Sequence, residues 1–172
     1  MMDRIPALPL IVNDPYFSIW MPGDTLTSAD TAHWSGAVKP IQGYIIIDGK
    51  RYHWLGRASS PAMTTQSVKI TPTQTISVLK ANGVELTVRF WAPVLPDDLD
   101  MLSAPVTYLD LSVSSTDGVS HQVEIGLSAS SKLCYDGQVP PPMHCRSYGL
   151  DGLHTAFIGQ QHQRLLGHSG DH

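Results

Sequence analysis

The turn dipeptide Asn82-Gly83 and the residues around it constrain this chain more than any other feature. Residues 84–90 alternate strictly between apolar and polar side chains. That period of two is typical of a strand with one buried and one solvated face. A second β-rich run, residues 75–79, precedes the dipeptide, and Asn-Gly favours the tight turn of a two-residue hairpin. The sequence therefore predicts an antiparallel hairpin here.

Two more hairpins are predicted along the chain. Residues 43–55 contain Asp48-Gly49 between two β-rich runs, and residues 106–127 contain Asp117-Gly118 in the same way. No window of a dozen residues keeps helical apolar spacing without interruption by Pro or Gly. Strands at this spacing predict an all-β fold, an antiparallel β-sandwich.

Three stretches interrupt the strand pattern. Residues 93–98 contain two prolines, which exclude a central strand, and residues 138–143 contain three consecutive prolines, which favour a stiff extended loop. The tail, residues 160–172, is polar and contains Gly167 and Gly170, so it offers little to pack. Because a compact domain rarely ends with an unfinished sheet, we expect the chain to be an incomplete fragment.

Composition and charge exclude several classes of function. The 172 residues are 42% hydrophobic and 15% charged, which fits a globular domain rather than a disordered one. The net charge is −4, and there is no run of Lys or Arg. We therefore expect no nucleic-acid partner and no membrane partner. No apolar stretch reaches the roughly 18 residues that a membrane-spanning helix needs.

The sequence leaves the cellular compartment open. The N-terminus lacks the charged start, apolar run and small-residue cleavage site of a signal peptide. We expect a cytoplasmic protein, or a periplasmic or secreted one from which a signal was removed. Cys134 and Cys145 do not make a disulfide framework. In an oxidising compartment they could close a short loop, and two separate thiols are the favoured interpretation.

A distinctive order of short motifs occupies the N-terminal third. Residues 9–20, PLIVNDPYFSIW, are followed by residues 33–36, HWSG, and residues 43–52, GYIIIDGKRY. This order resembles the N-terminal region of glutaminase A-like proteins. Residues 165–171, LLGHSGD, resemble a later block of the same family. Ser35 stands where the family usually has Thr, a change that does not affect the expected fold.

The resemblance implies that the chain is the β-rich N-terminal module of a larger hydrolase. In that family the module precedes an α/α-barrel related to six-hairpin glycosidases, so the partner of this chain would be a C-terminal barrel of the same polypeptide. The implied reaction is hydrolysis of the glutamine side-chain amide to glutamate and ammonia, and a glycoside substrate stays open. Since the hydrolytic residues would lie in the barrel, we expect no catalytic residue and no cofactor here. Residues 1–60 would carry the family motifs, and residues 61–172 would form the truncated sandwich.

Aromatic side chains concentrate in the first third, where they could contact a small-molecule or saccharide ligand. Trp34 is the strongest candidate, because it lies in a loop flanked by Ser and Gly, where binding residues concentrate. Trp20, Trp54 and His33 are further ligand-contact candidates, and packing of the sandwich core is the competing interpretation. Asp14 could be an acid at the edge of a site, although Asp before Pro more often forms a turn. The alternative function is thus a carbohydrate-binding sandwich with a tryptophan platform.

Other constellations favour structural roles. The aspartates within residues 97–100 could form a carboxylate pair for glycosidic acid–base work, but their Pro-bounded loop favours a solvated turn. Residues 126–130 lack the final Gly of a nucleophile elbow. The tail histidines lack the HExxH spacing of a helical zinc site, so we expect no metal ion. These histidines are His154, His162, His168 and His172.

Overall fold

The computed structural model of this protein describes residues 5–162 of the 172. The described part is all-β, as predicted, with twelve strands and two short helices. It divides into two compact units, an N-terminal unit that ends at Ser128 and a C-terminal unit that begins at Ala129. The LLGHSGD motif, which includes His168, lies outside the described residues, as does His172.

The N-terminal unit contains ten strands and one helix, and the last strand extends one residue past its end at Ser128. The strands are β1 (Ala7–Val12), β2 (Ser18–Pro22), β3 (Ala32–His33), β4 (Ile41–Ile47), β5 (Lys50–Leu55), β6 (Thr64–Thr71), β7 (Gln74–Ala81), β8 (Val84–Trp91), β9 (Tyr108–Ser115) and β10 (Val123–Ala129). They form three sheets, ordered β1-β2-β3, β10-β4-β5 and β6-β7-β8-β9. The helix α1 (Leu99–Ser103) follows the proline-bounded loop.

Two of the three predicted hairpins are confirmed. β4 pairs with β5, and β7 pairs with β8, both antiparallel. The turn residues have positive φ angles, 49° for Asp48 and 79° for Gly49, and 45° for Asn82 and 75° for Gly83. Two consecutive positive values are what a type I′ hairpin turn requires, and they explain the Asp-Gly and Asn-Gly dipeptides.

The third predicted hairpin is wrong. β9 pairs with β8, whereas β10 lies beside β4 in a different sheet. The register of β8 and β9 places Val113 opposite Leu86 and Leu111 opposite Val88, which extends the apolar face of β8 across β9. Residues 116–122 therefore cross from one sheet to another, and we call this segment the crossover.

Burial follows the strand alternation in the middle of the N-terminal unit. Along β8 the side chains of Val84, Leu86, Val88 and Phe90 are buried, and the four residues that alternate with them, ending with Trp91, are only partly buried. The hydroxyl of Thr75 donates a hydrogen bond of 2.6 Å to the Pro9 carbonyl and so ties β7 to β1. The most enclosed side chains include Leu8, Met21, Leu26, Ile45, Ile47, Trp54, Leu55, Met63, Leu79 and Leu86.

As far as residue 162, the C-terminal unit consists of a short 3₁₀ helix, Ser131–Cys134, and one antiparallel hairpin. Its strands are β11 (Met143–Leu150) and β12 (Leu153–Gln160), paired without a bulge from end to end. The Cys134 Sγ atom donates to the Ile158 carbonyl at 3.3 Å, and Cys145 is an exposed thiol. The two cysteines are not bonded to each other.

Candidate functional site

Two surface loops of the N-terminal unit bring together most of the residues that the sequence singled out. One loop links β1 to β2 and contains Asp14. Oδ1 of Asp14 accepts hydrogen bonds from the backbone N–H groups of Tyr16, at 2.7 Å, and Phe17, at 2.9 Å. This is an Asx turn, in which the carboxylate takes the place of a backbone acceptor. Asp14 therefore shapes the loop that presents the neighbouring aromatic rings.

The second loop follows β3 and is fixed to the first through one carbonyl group. The Pro15 oxygen accepts from Nε2 of His33, at 2.9 Å, and from Nε1 of Trp34, at 2.6 Å. Since a carbonyl only accepts, Nε2 of His33 must carry a proton. In the neutral ring Nδ1 is then an acceptor, which the Ser35 hydroxyl at 2.8 Å and the Ser35 backbone N–H at 3.3 Å satisfy. Nε2 of His33 thus joins the two loops, and Nδ1 is engaged within its own loop.

The aromatic rings held by these contacts face solvent. Trp34 is 61% exposed, Tyr16 is 60% exposed and Phe17 is 38% exposed. The rings of His33 and Trp34 lie 5.4 Å apart at 44°. We call Tyr16, Phe17, His33 and Trp34 the loop patch. Exposed aromatic groups on a well-anchored loop provide a surface that can stack on a flat apolar ligand face or pack against another protein.

Trp54 and Trp20 do not belong to the exposed loop patch. Trp54 has no exposed surface, and its Nε1 donates to the Tyr44 carbonyl at 2.9 Å. A β-carbon at Gly43 would overlap the Trp54 ring, so this glycine makes room for the indole in the core. Trp34 and Trp54 therefore form no common platform. Trp20 is partly buried and donates from Nε1 to the Ser18 hydroxyl at 2.8 Å.

A second aromatic cluster, absent from the sequence-based candidates, lies across β8 and β9. Cross-strand pairing places Trp91 beside Tyr108 and Arg89 beside Asp110. The two aromatic rings stack at 4.4 Å and 17°. We call these four residues the strand cluster. They could be found only from the pairing of β8 with β9, which the predicted hairpin of residues 106–127 concealed.

One carboxylate satisfies the polar groups of the strand cluster. Oδ2 of Asp110 accepts from Nε of Arg89 at 2.9 Å, from Nη2 of Arg89, and from Nε1 of Trp91 at 2.9 Å. The hydrogen bonds from Arg89 hold the pKa of Asp110 below its usual value of 3.8, and the bond from Trp91 adds to this. The Arg89 guanidinium also lies 5.2 Å from the centre of the Trp91 ring. These contacts tie the edge strand β9 to β8.

A groove of about 400 Å³ lies between β9 and the crossover. Its apolar lining comes from Val84, Val113, Val119 and Val123, and His121 also lines it. Hydrogen bonds to Asp48 and then to Asp117 raise the pKa of His121 above its usual 6.5. The pKa values of both carboxyl groups are lowered in turn. The largest cause is the His121 ring for Asp48 and the Val119 backbone N–H for Asp117.

Among the aspartates of residues 97–100, Asp98 has a structural role. Oδ1 of Asp98 accepts from the Met101 backbone N–H at 2.9 Å and so caps the N-terminus of α1. Within residues 5–162 no group of three or more His, Cys, Asp or Glu side chains could hold a metal ion. None of the helices in that range is long and apolar enough to cross a membrane.

Comparison with known proteins gives three results. Residues 2–70 match the family model described as Domain of unknown function (DUF4964), and residues 73–172 match the one described as Domain of unknown function (DUF5127). Over 138 residues the chain is 33% identical to a protein of Aspergillus oryzae (strain ATCC 42149 / RIB 40) named Glutaminase A. The aligned part is 75% of this chain and 20% of that relative, so the chain spans about a fifth of the relative's length. No solved structure matches the chain.

Proposed function

The chain belongs to the DUF5127 family and to the glutaminase A-like proteins, and from this premise we propose that it is the non-catalytic N-terminal module of a larger hydrolase. The parent protein would hydrolyse the side-chain amide of glutamine to glutamate and ammonia. The observation that carries the proposal is the similarity to Glutaminase A, which extends over 75% of this chain but only 20% of the relative. The rest of such a protein leaves ample room for a separate catalytic part.

The state of two histidines, His33 and His121, supports a non-catalytic role. Both ring nitrogens of His33 are taken by Pro15 and Ser35, and both ring nitrogens of His121 face carboxylates. A general base needs a lone pair that can reach the proton it removes. Neither imidazole has one to offer in this arrangement, because each nitrogen is already engaged.

We expect the catalytic part to be an α/α-barrel of the same polypeptide, against which this module packs. The exposed apolar residues of β9, Leu111 and Val113, support such a contact. They continue a sheet face that is fully buried at Leu86 and Val88 on the adjacent strand. Soluble proteins seldom leave a core face uncovered at a strand edge.

The proposal is tested by measuring ammonia release from glutamine in three samples. These are the full-length natural protein, the same protein without residues 1–172, and the isolated 172-residue chain. We expect activity in the first sample, a large loss in the second and none in the third. Hydrolysis by the isolated chain would overturn the non-catalytic role. Unchanged folding and activity after removal of the module would overturn its supporting role.

A second candidate function is favoured by the loop patch. Trp34 is 61% exposed and anchored through its Nε1 atom, which suits a side chain that stacks on a sugar ring. If the module binds carbohydrate, oligosaccharides should change the tryptophan fluorescence of the wild-type chain but not that of Trp34→Ala. Tyr148→Ala, which removes another exposed ring, is the matched control and should keep the response. A signal insensitive to every oligosaccharide tested would remove this candidate.

A further inference from the structure

His121 lies between two carboxylates that come from different parts of the N-terminal unit. Its Nδ1 is 2.6 Å from Oδ2 of Asp48, in the β4–β5 turn. Its Nε2 is 3.1 Å and 3.2 Å from the two carboxylate oxygens of Asp117, in the crossover. The histidine side chain is 10% exposed, whereas each aspartate side chain is 44% exposed. His121 is itself part of the crossover, so its contact with Asp117 is local, whereas its contact with Asp48 spans 73 positions of the sequence.

The number of protons on the His121 ring follows from the hydrogen bonds that it makes to the two carboxylates. An ionised carboxylate only accepts hydrogen bonds, so each ring nitrogen must donate to satisfy its partner. A neutral imidazole has one N–H and can satisfy only one of the two aspartates. Both contacts are made together only by the imidazolium, which carries two N–H groups.

No other charged group competes for the ring among its described neighbours. Apart from His121, the residues lining the adjacent groove are all Val or Ser. The β7–β8 turn approaches through Gly83, where a β-carbon would lie 2.9 Å from Nε2 of His121. The charged groups that face the ring are therefore Asp48 and Asp117 alone within residues 5–162.

The backbone around His121 depends on the same two carboxylates. Oδ1 of Asp48 accepts from the Gln122 backbone N–H at 2.9 Å, and Oδ1 of Asp117 accepts from the Val119 backbone N–H at 3.0 Å. At both ends the crossover is held separately. The Thr116 backbone N–H donates to the Gly83 carbonyl at 2.7 Å, and the Gln122 carbonyl accepts from the Asp48 backbone N–H at 3.0 Å. Loss of the contacts to His121 would thus loosen residues 117–121, while Thr116 and Gln122 stay attached.

We propose that His121 is a pH-dependent clasp, whose imidazolium joins the β4–β5 turn to the crossover and whose deprotonation releases the crossover. Val119 and His121 line the groove, so release also opens one wall of it. This inference does not depend on the proposed hydrolase function. It concerns a conformational equilibrium of the N-terminal unit that the isolated chain can show.

The direction of the effect follows from the displaced pKa values. The pKa of His121 is raised, so its stabilising contribution is complete below the usual 6.5 and is lost as pH rises through the higher value of the folded chain. The pKa values of Asp48 and Asp117 are lowered, so their contributions are present above the usual 3.8 and lost as pH falls through the lower folded values. The clasp is therefore closed between these limits and opens on the alkaline side.

The test combines two measurements on the 172-residue chain. NMR titration of the His121 ring gives its pKa directly. Hydrogen exchange of residues 116–122 from pH 6 to pH 9, normalised to the β7–β8 hairpin, gives the opening of the crossover. We expect a pKa above 6.5 and a several-fold loss of protection with the same midpoint. A ring that titrates at or below 6.5, or protection that does not change with pH, would overturn the clasp.

Asp117→Asn separates a charge-dependent clasp from simple packing. The Asn amide can donate to Nε2 of a neutral His121 while its oxygen still accepts from the Val119 N–H. This variant should therefore keep protection at high pH and lose the pH step. His154→Gln, at an exposed histidine of the C-terminal unit, is the control and should leave the step unchanged. A step that persists in Asp117→Asn would also contradict the proposal.

Discussion

The hairpins β7–β8 and β11–β12 have the same local design but very different surroundings. Each has strands of eight residues and a turn with two positive φ angles, 45° and 75° at Asn82-Gly83 and 46° and 80° at Asp151-Gly152. In β7–β8 alternate side chains reach full burial, as at Leu79 and Leu86. In β11–β12 most side chains are exposed, with Leu153 at 67%.

The comparison shows that the turn determines strand register, whereas burial of an apolar face determines stability. Turn chemistry fixes strand register in both hairpins, because the type I′ geometry matches the strand twist. Only β7–β8 also buries an apolar face, and a two-stranded hairpin alone is at best marginally stable in water. We therefore expect the N-terminal unit to hold most of the stability, and the C-terminal hairpin to need a partner surface.

We expect the largest difference in stability when one leucine of each hairpin is truncated to alanine. Leu86→Ala should lower the free energy of unfolding of the N-terminal unit by about 2–5 kcal/mol, because Leu86 is fully buried. Leu153→Ala, at an exposed position, should change stability by less than about 0.5 kcal/mol. Denaturant unfolding followed by tryptophan fluorescence measures the first, since all four tryptophans precede residue 92. Hydrogen exchange of β12 measures the second, and equal losses in the two variants would contradict the comparison.

Glycine substitution in the two turns gives a finer comparison with a smaller expected effect. Both Gly83 and Gly152 have positive φ, so Ala at either position costs about 1–2 kcal/mol in conformation alone. At Gly83 the new β-carbon would also overlap the Asp117 side chain, whereas nothing lies within 4 Å of the one at Gly152. Gly83→Ala should therefore be the more destabilising variant, and it should also disturb the crossover. Equal effects in hydrogen exchange would show that the contact with Asp117 has no energetic weight.

The smallest expected effect is a pH dependence in the stability of the N-terminal unit. Asp48, Asp110, Asp117 and His121, whose pKa values are displaced, all lie there. The lowered carboxyl pKa values make the unit lose stability as pH falls below 3.8, and the raised pKa of His121 makes it lose stability as pH rises above 6.5. Fluorescence-detected unfolding should thus show a maximum between these limits. A curve that rises steadily toward pH 9 would be inconsistent with the arrangement around His121.

The sequence was sufficient where structure depends on neighbouring residues. Asp48-Gly49 and Asn82-Gly83 specified their hairpins, and the Asp14 turn has the form expected for Asp before Pro. It was insufficient for β10, because Asp48 holds Gln122 across 74 positions and so directs the strand to β4. No local pattern reports a contact of that separation.

The candidate site shows the same limit. Trp34 and Trp54 both follow histidine, and the sequence favoured Trp34 because of its loop. Which indole enters the core depends on the space above Gly43, which lies on the preceding strand, where it pairs with Leu55. The strand cluster depends likewise on the pairing of β8 with β9, so Arg89 and Asp110 could not be connected beforehand.

The mass of the natural gene product tests the central claim most directly. An antibody raised against the 172-residue chain would be used to immunoblot extracts of the source cells. If the chain is the N-terminal module of a glutaminase A-like hydrolase, the band should lie several times above the 18.8 kDa of the chain itself. A single band near 18.8 kDa would contradict the claim, and sugar binding through the loop patch would then be the function to pursue.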